Sequence, residues 1–159
     1  MKSRQTDTSK NWETVVEASP DAIVVINRSL TVTHWNSATE DIFGWTAEEV
    51  LGERNPIVPD SKQDAYESTV RDVLAGEEVT GHETSRRRKD GTLIDISIST
   101  APVCGPDGEN VAAMAVIKDI SERKDHERRI EALQFAVHGL MASSTETEIA
   151  EQIVRTCKE

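Results

Sequence analysis

The feature that most constrains this chain is a stretch of seventeen residues, 36–52, that holds the start and stop signals of two short helices. Ser37 and Thr46 are each followed three residues later by a glutamate, which is the capping-box pattern of a helix start. Gly44 and Gly52 stand where a left-handed residue would end each helix. The sequence therefore predicts two helices of barely two turns, directly after a strand.

Alternation of apolar and polar residues predicts strands on both sides of this stretch. The clearest case is residues 93–100, where isoleucine and polar residues alternate so strictly that one face must be buried. An apolar face between Pro59 and Gly76 predicts one longer helix. We expect an α+β fold: a five-stranded antiparallel sheet with helices inserted between strands 2 and 3, plus N-terminal and C-terminal helices. The predicted strands are residues 22–26, 30–35, 79–88, 93–100 and 110–117.

Composition bounds the class of protein. The 159 residues allow one ordinary domain and a remainder, and the two cysteines, Cys104 and Cys157, form no CxxC pair. No apolar run approaches the length of about 18 residues that spans a membrane, so we expect a reduced, cytoplasmic protein. The net charge of −11 argues against nucleic acid or an anionic membrane as partner. It would suit either a halophilic, salt-rich cytoplasm or an ordinary acidic signalling protein.

Both ends of the chain carry helical patterns. Residues 1–10 have no apolar periodicity and are expected to be disordered, whereas Trp12, Val15 and Val16 form one stripe of a helix that should lie on a sheet face. After the last strand, residues 119–122 form another capping box, and a helix can follow to about residue 137. Its later part has the 3-4-3 apolar spacing of a coiled coil, at Ile130, Leu133, Val137 and Leu140.

The order of these landmarks resembles a PAS sensory domain. The resemblance spans roughly residues 12 to 124. It rests on the two consecutive helix starts in 36–52, on the strand 21–27 before them, and on the segments 88–92 and 118–124 after them. Residues 140–154 resemble the opening helices of a GAF domain. The expected organisation is a disordered terminus (1–10), a PAS domain with its N-terminal helix (11–120), a signalling helix (121–139) and a truncated GAF start (140–159).

The resemblance implies a cup between sheet and helices that can hold a small molecule, although the same side chains could equally fill a solid core. Alanine at a central strand leaves volume, and threonine and tyrosine bring polar atoms that a dry core would have to satisfy. By alternation from Thr84, Arg86 shares the cup face and could meet an anionic or carbonyl group. The expected ligand-binding residues are Val24, Ile26, Thr39, Ile42, Tyr66, Thr84, Arg86, Ile96, Ile98, Thr100, Ala115 and Ile117.

The expected ligand is a small, flat, mostly apolar and aromatic molecule with one carbonyl or carboxylate, of about ten to fifteen non-hydrogen atoms. Cofactors of PAS relatives fit the sequence poorly. Residues 52–58 lack the reactive cysteine of the flavin-binding light-oxygen-voltage type, and residues 61–75 lack the axial histidine of the haem-binding type. Covalent flavin and haem are therefore not expected.

The resemblance also implies how a signal leaves the domain. Asp119 matches the aspartate of the Asp-Ile-Thr signature that ends PAS domains, and Ser121 replaces its threonine with another hydroxyl; the resemblance implies that both couple the signal to the following helix. PAS relatives commonly cover the stripe of Trp12, Val15 and Val16 with a partner subunit, so a homodimer is expected. The output domain would be that of a sensor kinase of a two-component system or a transcriptional regulator.

No arrangement of residues predicts catalysis. His126 lies in a helical segment that lacks the proline context of a phospho-accepting histidine box, and no phosphate loop or metal-ligand spacing is present. The chain is therefore not expected to be an enzyme. The alternative to a ligand-binding sensor is a structural dimerisation and interaction module with a filled pocket.

Overall fold

The computed structural model describes residues 6–156 of the chain, with side chains from 12 to 138, and divides it into two compact units. The first unit runs to Ser121 and the second begins at Glu122. In chain order the elements are α1 (Thr6–Glu17), β1 (Ala22–Asn27), β2 (Val32–Trp35), α2 (Ser37–Phe43), α3 (Ala47–Val50), a 3-10 turn (Asp60–Lys62), α4 (Gln63–Leu74), β3 (Val79–Arg87), β4 (Leu93–Cys104), β5 (Asn110–Asp119) and α5 (Ser121–Thr156).

The strands form one antiparallel sheet in the order β2-β1-β5-β4-β3, so the last strand of the chain lies in the middle. The first and last strands pair with Ala22 opposite Ile117. The expected fold class is therefore confirmed, including the insertion of helices between the second and third strands. The sequence did not predict that the register of β3 shifts between Val79 and His82, where Gly81 has a φ of 63°.

One face of the sheet carries the core. Ile94 and Ile96 of β4 are buried, as their alternation with polar residues predicts. Trp35 and Phe43 pack with ring centroids 6.3 Å apart, and the Trp35 indole N–H donates to the Trp45 carbonyl at 3.0 Å. These contacts fix the two short helices against the edge of the sheet.

The N-cap of α2 is Asn36, one residue before the position that the sequence pattern indicates. Ser37 is exposed and its hydroxyl donates to the Glu17 carbonyl at 3.2 Å, while the Glu40 carboxylate accepts from the Ala47 N–H instead of closing a capping box. The prediction for Ser37 was wrong because an asparagine beside it offers both an acceptor and a donor to the surrounding backbone.

The Thr46 and Gly44 signals of this stretch are confirmed, whereas α3 is only four residues long and ends on an extended Leu51, one residue before the left-handed Gly52 that was expected to end it. The Glu49 carboxylate accepts from the Thr46 N–H at 3.0 Å in a capping box. Gly44 ends α2 with a φ of 76°, a conformation that costs a residue with a Cβ about 1 kcal/mol or more.

The first helix begins at Thr6, earlier than expected. Residues 6–10, predicted to be disordered, are helical, and residues 1–5 lie outside the described part. The Trp12 ring lies 5.2 Å from the His34 ring but is 45% exposed, and Val15 is 71% exposed. The predicted packing of this stripe on the sheet is therefore limited to Trp12, with Val16 half-buried.

The last helix runs without a break from Ser121 to Thr156, through the predicted boundary at residue 139. A glycine inside a helix costs only about 1 kcal/mol, and this segment contains no proline that would end it. The side chains of residues 140–159, where a GAF start was expected, lie outside the described ones. Across the described residues, no helix combines the length and apolar character that crossing a bilayer requires.

Candidate functional site

A cavity of about 110 Å³ lies between α4 and the core face of the sheet. The sheet contributes β-branched and small side chains because alternate residues of β1, β4 and β5 face inward. The helix contributes the face that its apolar periodicity predicts. The cavity is lined by Val24, Ile26, Asn55, Ile57, Lys62, Ala65, Tyr66, Thr69, Val70, Val73, Val79, His82, Thr84, Arg86, Ile98, Thr100, Ala113, Ala115 and Ile117.

Three of the twelve expected ligand-binding residues do not line this cavity. The Thr39 hydroxyl is fully buried and shares its one proton between Asn36 Oδ1 at 2.5 Å and the Ile23 carbonyl at 3.2 Å. Ile42 packs against the core cluster, and Ile96 lies inside it with no exposed surface. These side chains complete the core beside α2 because the open space lies farther along the sheet, under α4. The other nine expected residues do line the cavity.

Several lining residues were missed by sequence reasoning. Ala65, Thr69, Val70 and Val73 belong to the apolar face of α4, so its periodicity could have identified them. Lys62 could not be found in this way, because it ends a 3-10 turn and reaches the cavity through contacts with a distant strand.

One end of the cavity is polar and positively charged. The Lys62 ammonium donates to the Thr84 hydroxyl at 3.0 Å and to the Ser85 hydroxyl at 2.9 Å. The Arg86 guanidinium donates through Nη1 to the Ser85 carbonyl at 3.0 Å and more weakly to the Thr84 hydroxyl at 3.4 Å. Arg86 is only 8% exposed. The two cations are thus held by neutral groups of β3.

Two buried hydroxyls on the cavity wall lack hydrogen-bond partners within the described part of the chain. They are Tyr66 Oη and Thr100 Oγ1. Burial raises the pKa of the Tyr66 phenol, and the nearby Asn55 amide and Arg86 charge act in the opposite direction. The amide is close enough to affect this pKa but does not meet hydrogen-bond geometry. Burial lowers the pKa of Arg86, which nevertheless stays protonated at neutral pH.

The cavity does not fit the larger cofactors considered above. Its volume is far below that of a haem or a flavin ring system, and its described lining includes no cysteine. The lining histidine, His82, is exposed on β3 and not on α4. Among the described residues, no group of His, Cys, Asp and Glu side chains is arranged to hold a metal ion.

The predicted coupling residues lie where the central strand ends. The Asp119 carboxylate accepts from the Ser121 N–H at 2.8 Å through Oδ1 and pairs with the Arg88 guanidinium at 3.0 Å through Oδ2. The Ile120 N–H donates to the Asp95 carbonyl at 2.9 Å. Asp119 therefore ties the start of α5 to the end of β3.

Comparison with known proteins identifies the fold family. A family model described as "PAS fold" matches residues 16–125. The chain is 29% identical over 137 residues to the signal transduction histidine-protein kinase AtoS of Escherichia coli, covering 85% of this chain and 22% of that protein. It is 26% identical over 130 residues to the sensor protein FixL of Bradyrhizobium diazoefficiens, covering 76% and 24%. The chain thus spans less than a quarter of each of these relatives.

A solved structure agrees with this assignment. The crystal structure of the PAS domain of a protein from Colwellia psychrerythraea superposes with a TM-score of 0.65 at 24% identity, covering 73% of this chain and 99% of that one. The shared features are the sheet and its helices. Because the family model covers most of the chain, and the sheet order and cavity follow from its own residues, this chain belongs to the PAS-fold family.

Proposed function

We propose that this chain is a non-catalytic sensory module that binds a small, mostly apolar organic molecule in the cavity and relays its presence through α5. The observation that carries the proposal is the cavity itself, whose walls are mainly aliphatic and whose few polar atoms gather at particular points. Ligand pockets typically have this composition. A protein cavity of about 150 Å³ can hold benzene, so for a space of about 110 Å³ we expect a ligand of about six non-hydrogen atoms or fewer.

This size is smaller than the sequence alone suggested. A single small ring or a short chain fits the cavity of about 110 Å³, whereas ten to fifteen atoms would exceed this volume. The ligand-binding residues that we propose are therefore the nine, of the twelve expected from the sequence, that line the cavity. A filled core, the structural alternative, is disfavoured by this space.

Ala115 offers the sharpest test. It pairs with Val24 on one side and Thr100 on the other, so a phenylalanine there would fill the cavity from the central strand. We expect Ala115→Phe to abolish ligand binding at a cost of about 1 to 3 kcal/mol in stability. Native mass spectrometry of the purified protein measures the co-purifying ligand. Val116→Phe, on the opposite face of β5, is the control, and retention of the ligand by the Ala115 variant would refute the proposal.

We propose that the signal leaves through Asp119 and Ser121. Ala115 and Ile117 lie on the cavity wall, and Asp119 follows on the same strand, where it caps the first turn of α5. Strain in β5 would change this cap and the Arg88 pair together. In a protein that contains the output domain, Asp119→Ala should disconnect ligand from output while Lys118→Ala preserves the response. An unchanged response in the Asp119 variant would exclude this route.

We propose that the module is a homodimer through α1. The exposure of Trp12 and Val15 supports this, because an apolar stripe of this kind is commonly covered by a partner. Light scattering should show a dimer, and Val15→Ser should weaken it more than Thr14→Ser. A monomer at high concentration and high salt would contradict the proposal. Dimerisation without ligand binding is the second candidate function, and the native mass measurement separates the two.

We further propose a multidomain, cytoplasmic signalling context. The similarity to a histidine kinase and a sensor protein over less than a quarter of their length supports an output domain beyond this chain, in a sensor kinase or transcriptional regulator, with a GAF domain after α5. The coiled-coil spacing in α5, at Ile130, Leu133 and Val137, supports a parallel pair of helices.

The net charge of −11 supports a halophilic prokaryotic host and gives no support to nucleic-acid or membrane partners. Unfolding measurements across salt concentrations test the halophilic assignment.

A further inference from the structure

The cavity concentrates positive charge in a chain that is strongly acidic. The protein has 29 acidic and 18 basic residues, yet the described cavity wall contains two cations, Lys62 and Arg86, and no carboxylate. Neither cation has an acidic partner among the described residues. Other arginines of the same segment do: Arg87 faces Asp60 at 3.8 Å, and Arg88 pairs with Asp119. The two positive charges without an acidic partner, Lys62 and Arg86, are therefore the two that line the cavity.

A buried charge without a counterion is unusual, because removal from water costs several kcal/mol unless an opposite charge compensates. Arg86 is 92% buried, and only its Nη1 is satisfied, by the Ser85 carbonyl and the Thr84 hydroxyl. Its Nε and Nη2 donate to no protein acceptor in the described part of the chain, and they are not fully buried, so water or a ligand can reach them. The Tyr66 hydroxyl beside it also has none. Donors without acceptors are therefore gathered at one end of the space.

The other end of the cavity has a different character. Arg86 pairs with Ile94 across the sheet and Thr100 pairs with Val79, so the two backbone positions lie six residue steps, about 20 Å, apart along β4. Thr100 therefore lines the part of the same cavity that is farther from the Arg86 backbone. The walls between them are aliphatic, including Ile98 and Ala115. A cationic end joined to an apolar chamber fits a molecule with an anionic head and an apolar body.

Resting on the proposed function, we propose that the ligand is a small organic carboxylate, whose carboxylate is bound by Arg86 and the Tyr66 hydroxyl while its apolar body lies against the sheet. The planar guanidinium matches a carboxylate through two parallel hydrogen bonds, and the neighbouring ammonium of Lys62 adds favourable charge. A free phosphate would leave the aliphatic walls uncovered. The cavity volume of about 110 Å³ limits the body to a short chain.

Matched acids and amides test this assignment on the full chain. Butanoate and propanoate are compared with butanamide and propanamide by calorimetry at neutral pH. We expect at least one acid to bind about ten- to hundred-fold more tightly than its amide, as loss of a charged hydrogen-bonded contact would predict. Arg86→Gln should reduce this ratio to near one, and Tyr66→Phe should lower it several-fold.

Two control variants make the result specific. Arg87→Gln removes a neighbouring arginine that does not line the cavity, and Thr100→Val removes the hydroxyl at the far end, so both should preserve the ratio. Equal affinity for acid and amide, an unchanged ratio in folded Arg86→Gln, or no binding of either acid would overturn the carboxylate assignment. Amide binding that Ala115→Phe abolishes would leave the proposed sensory function standing. A co-purifying molecule found by native mass spectrometry judges that function independently of these probes.

Discussion

Replacing Asn36 with alanine should be among the most damaging single changes in this domain. The Asn36 side chain is fully buried and takes part in five hydrogen bonds. Its Oδ1 accepts from the Ile23 N–H at 2.8 Å and from the N–H and hydroxyl of Thr39. Its Nδ2 donates to the carbonyls of Val16 at 3.1 Å and Asp21 at 3.0 Å. One amide thus joins α1, β1 and α2.

The expected loss of unfolding free energy follows from the buried groups that alanine leaves without a hydrogen-bond partner. An unsatisfied buried N–H at Ile23 costs about 1 to 3 kcal/mol. Loss of the helix cap at Thr39 costs about 1 kcal/mol more, although the Thr39 N–H keeps a bond to the Asn36 carbonyl at 3.0 Å. The carbonyls of Val16 and Asp21 belong to partly exposed segments that water can reach. We expect a loss of about 3 kcal/mol from a total of roughly 5 to 15 kcal/mol.

Urea unfolding followed by tryptophan fluorescence measures this loss, since the chain has three tryptophans. Ser37→Ala is the matched control, because Ser37 is exposed and the sequence pattern alone would name it as the cap. We expect it to cost about 0.5 kcal/mol or less. The reasoning is refuted if Asn36→Ala costs under about 1 kcal/mol with an unchanged denaturant slope, or if the two substitutions cost the same.

Three further outcomes are expected. The single tyrosine of the chain, Tyr66, should ionise above its ordinary pKa, and Arg86→Gln should raise that pKa further. Tyrosinate absorbance measures both pKa values, and the stability of the domain should fall as pH rises through the folded-state pKa of Tyr66. Gly44→Ala should cost about 1 kcal/mol from its positive φ, with no steric clash because the new Cβ would lie 3.6 Å from Lys89 Cβ, and the urea midpoint measures it. The Lys89 hydrogen bond and the Thr46 capping contact lower the pKa of Glu49 in the folded state. Their contribution to stability should therefore be present above the unfolded-state pKa of Glu49 and disappear as acid protonates the carboxylate. Glu49→Gln should remove this pH dependence from acid unfolding curves.

The sheet was predictable from sequence because its signals are local and repeated. The Ile-polar alternation of residues 93–100 and the turns at Asp90-Gly91 and Gly105–Gly108 fix β4 and its neighbours without reference to the rest of the chain. The glycine at residue 44 likewise needs only its own backbone conformation. Strand ends differed by a few residues, since alternation weakens where side chains reach the sheet rim.

The cap of α2 and the position of the cavity were not predictable in the same way. Asn36 and Ser37 both suit a helix start, and the choice depends on the carbonyls of Val16 and Asp21, which only the folded chain brings near. Lys62 reaches Thr84 across a separation of 22 residues. Ile96 and Ile98 share a face of one strand, but only Ile98 borders the space under α4. Periodicity predicts the face of the sheet on which a side chain lies, but not which residues pack against that face.

The central place of β5 has a consequence for how this domain is synthesised. The hairpin of β1 and β2 and the hairpin of β3 and β4 can each form as soon as its own residues leave the ribosome, but both have an unpaired edge until residues 110–119 arrive between them. Pairing Ala22 with Ile117 closes a loop of most of the domain, which slows folding. Nascent chains stalled before residue 110 should therefore remain protease-sensitive and chaperone-bound, and protection should appear in one step once β5 has emerged.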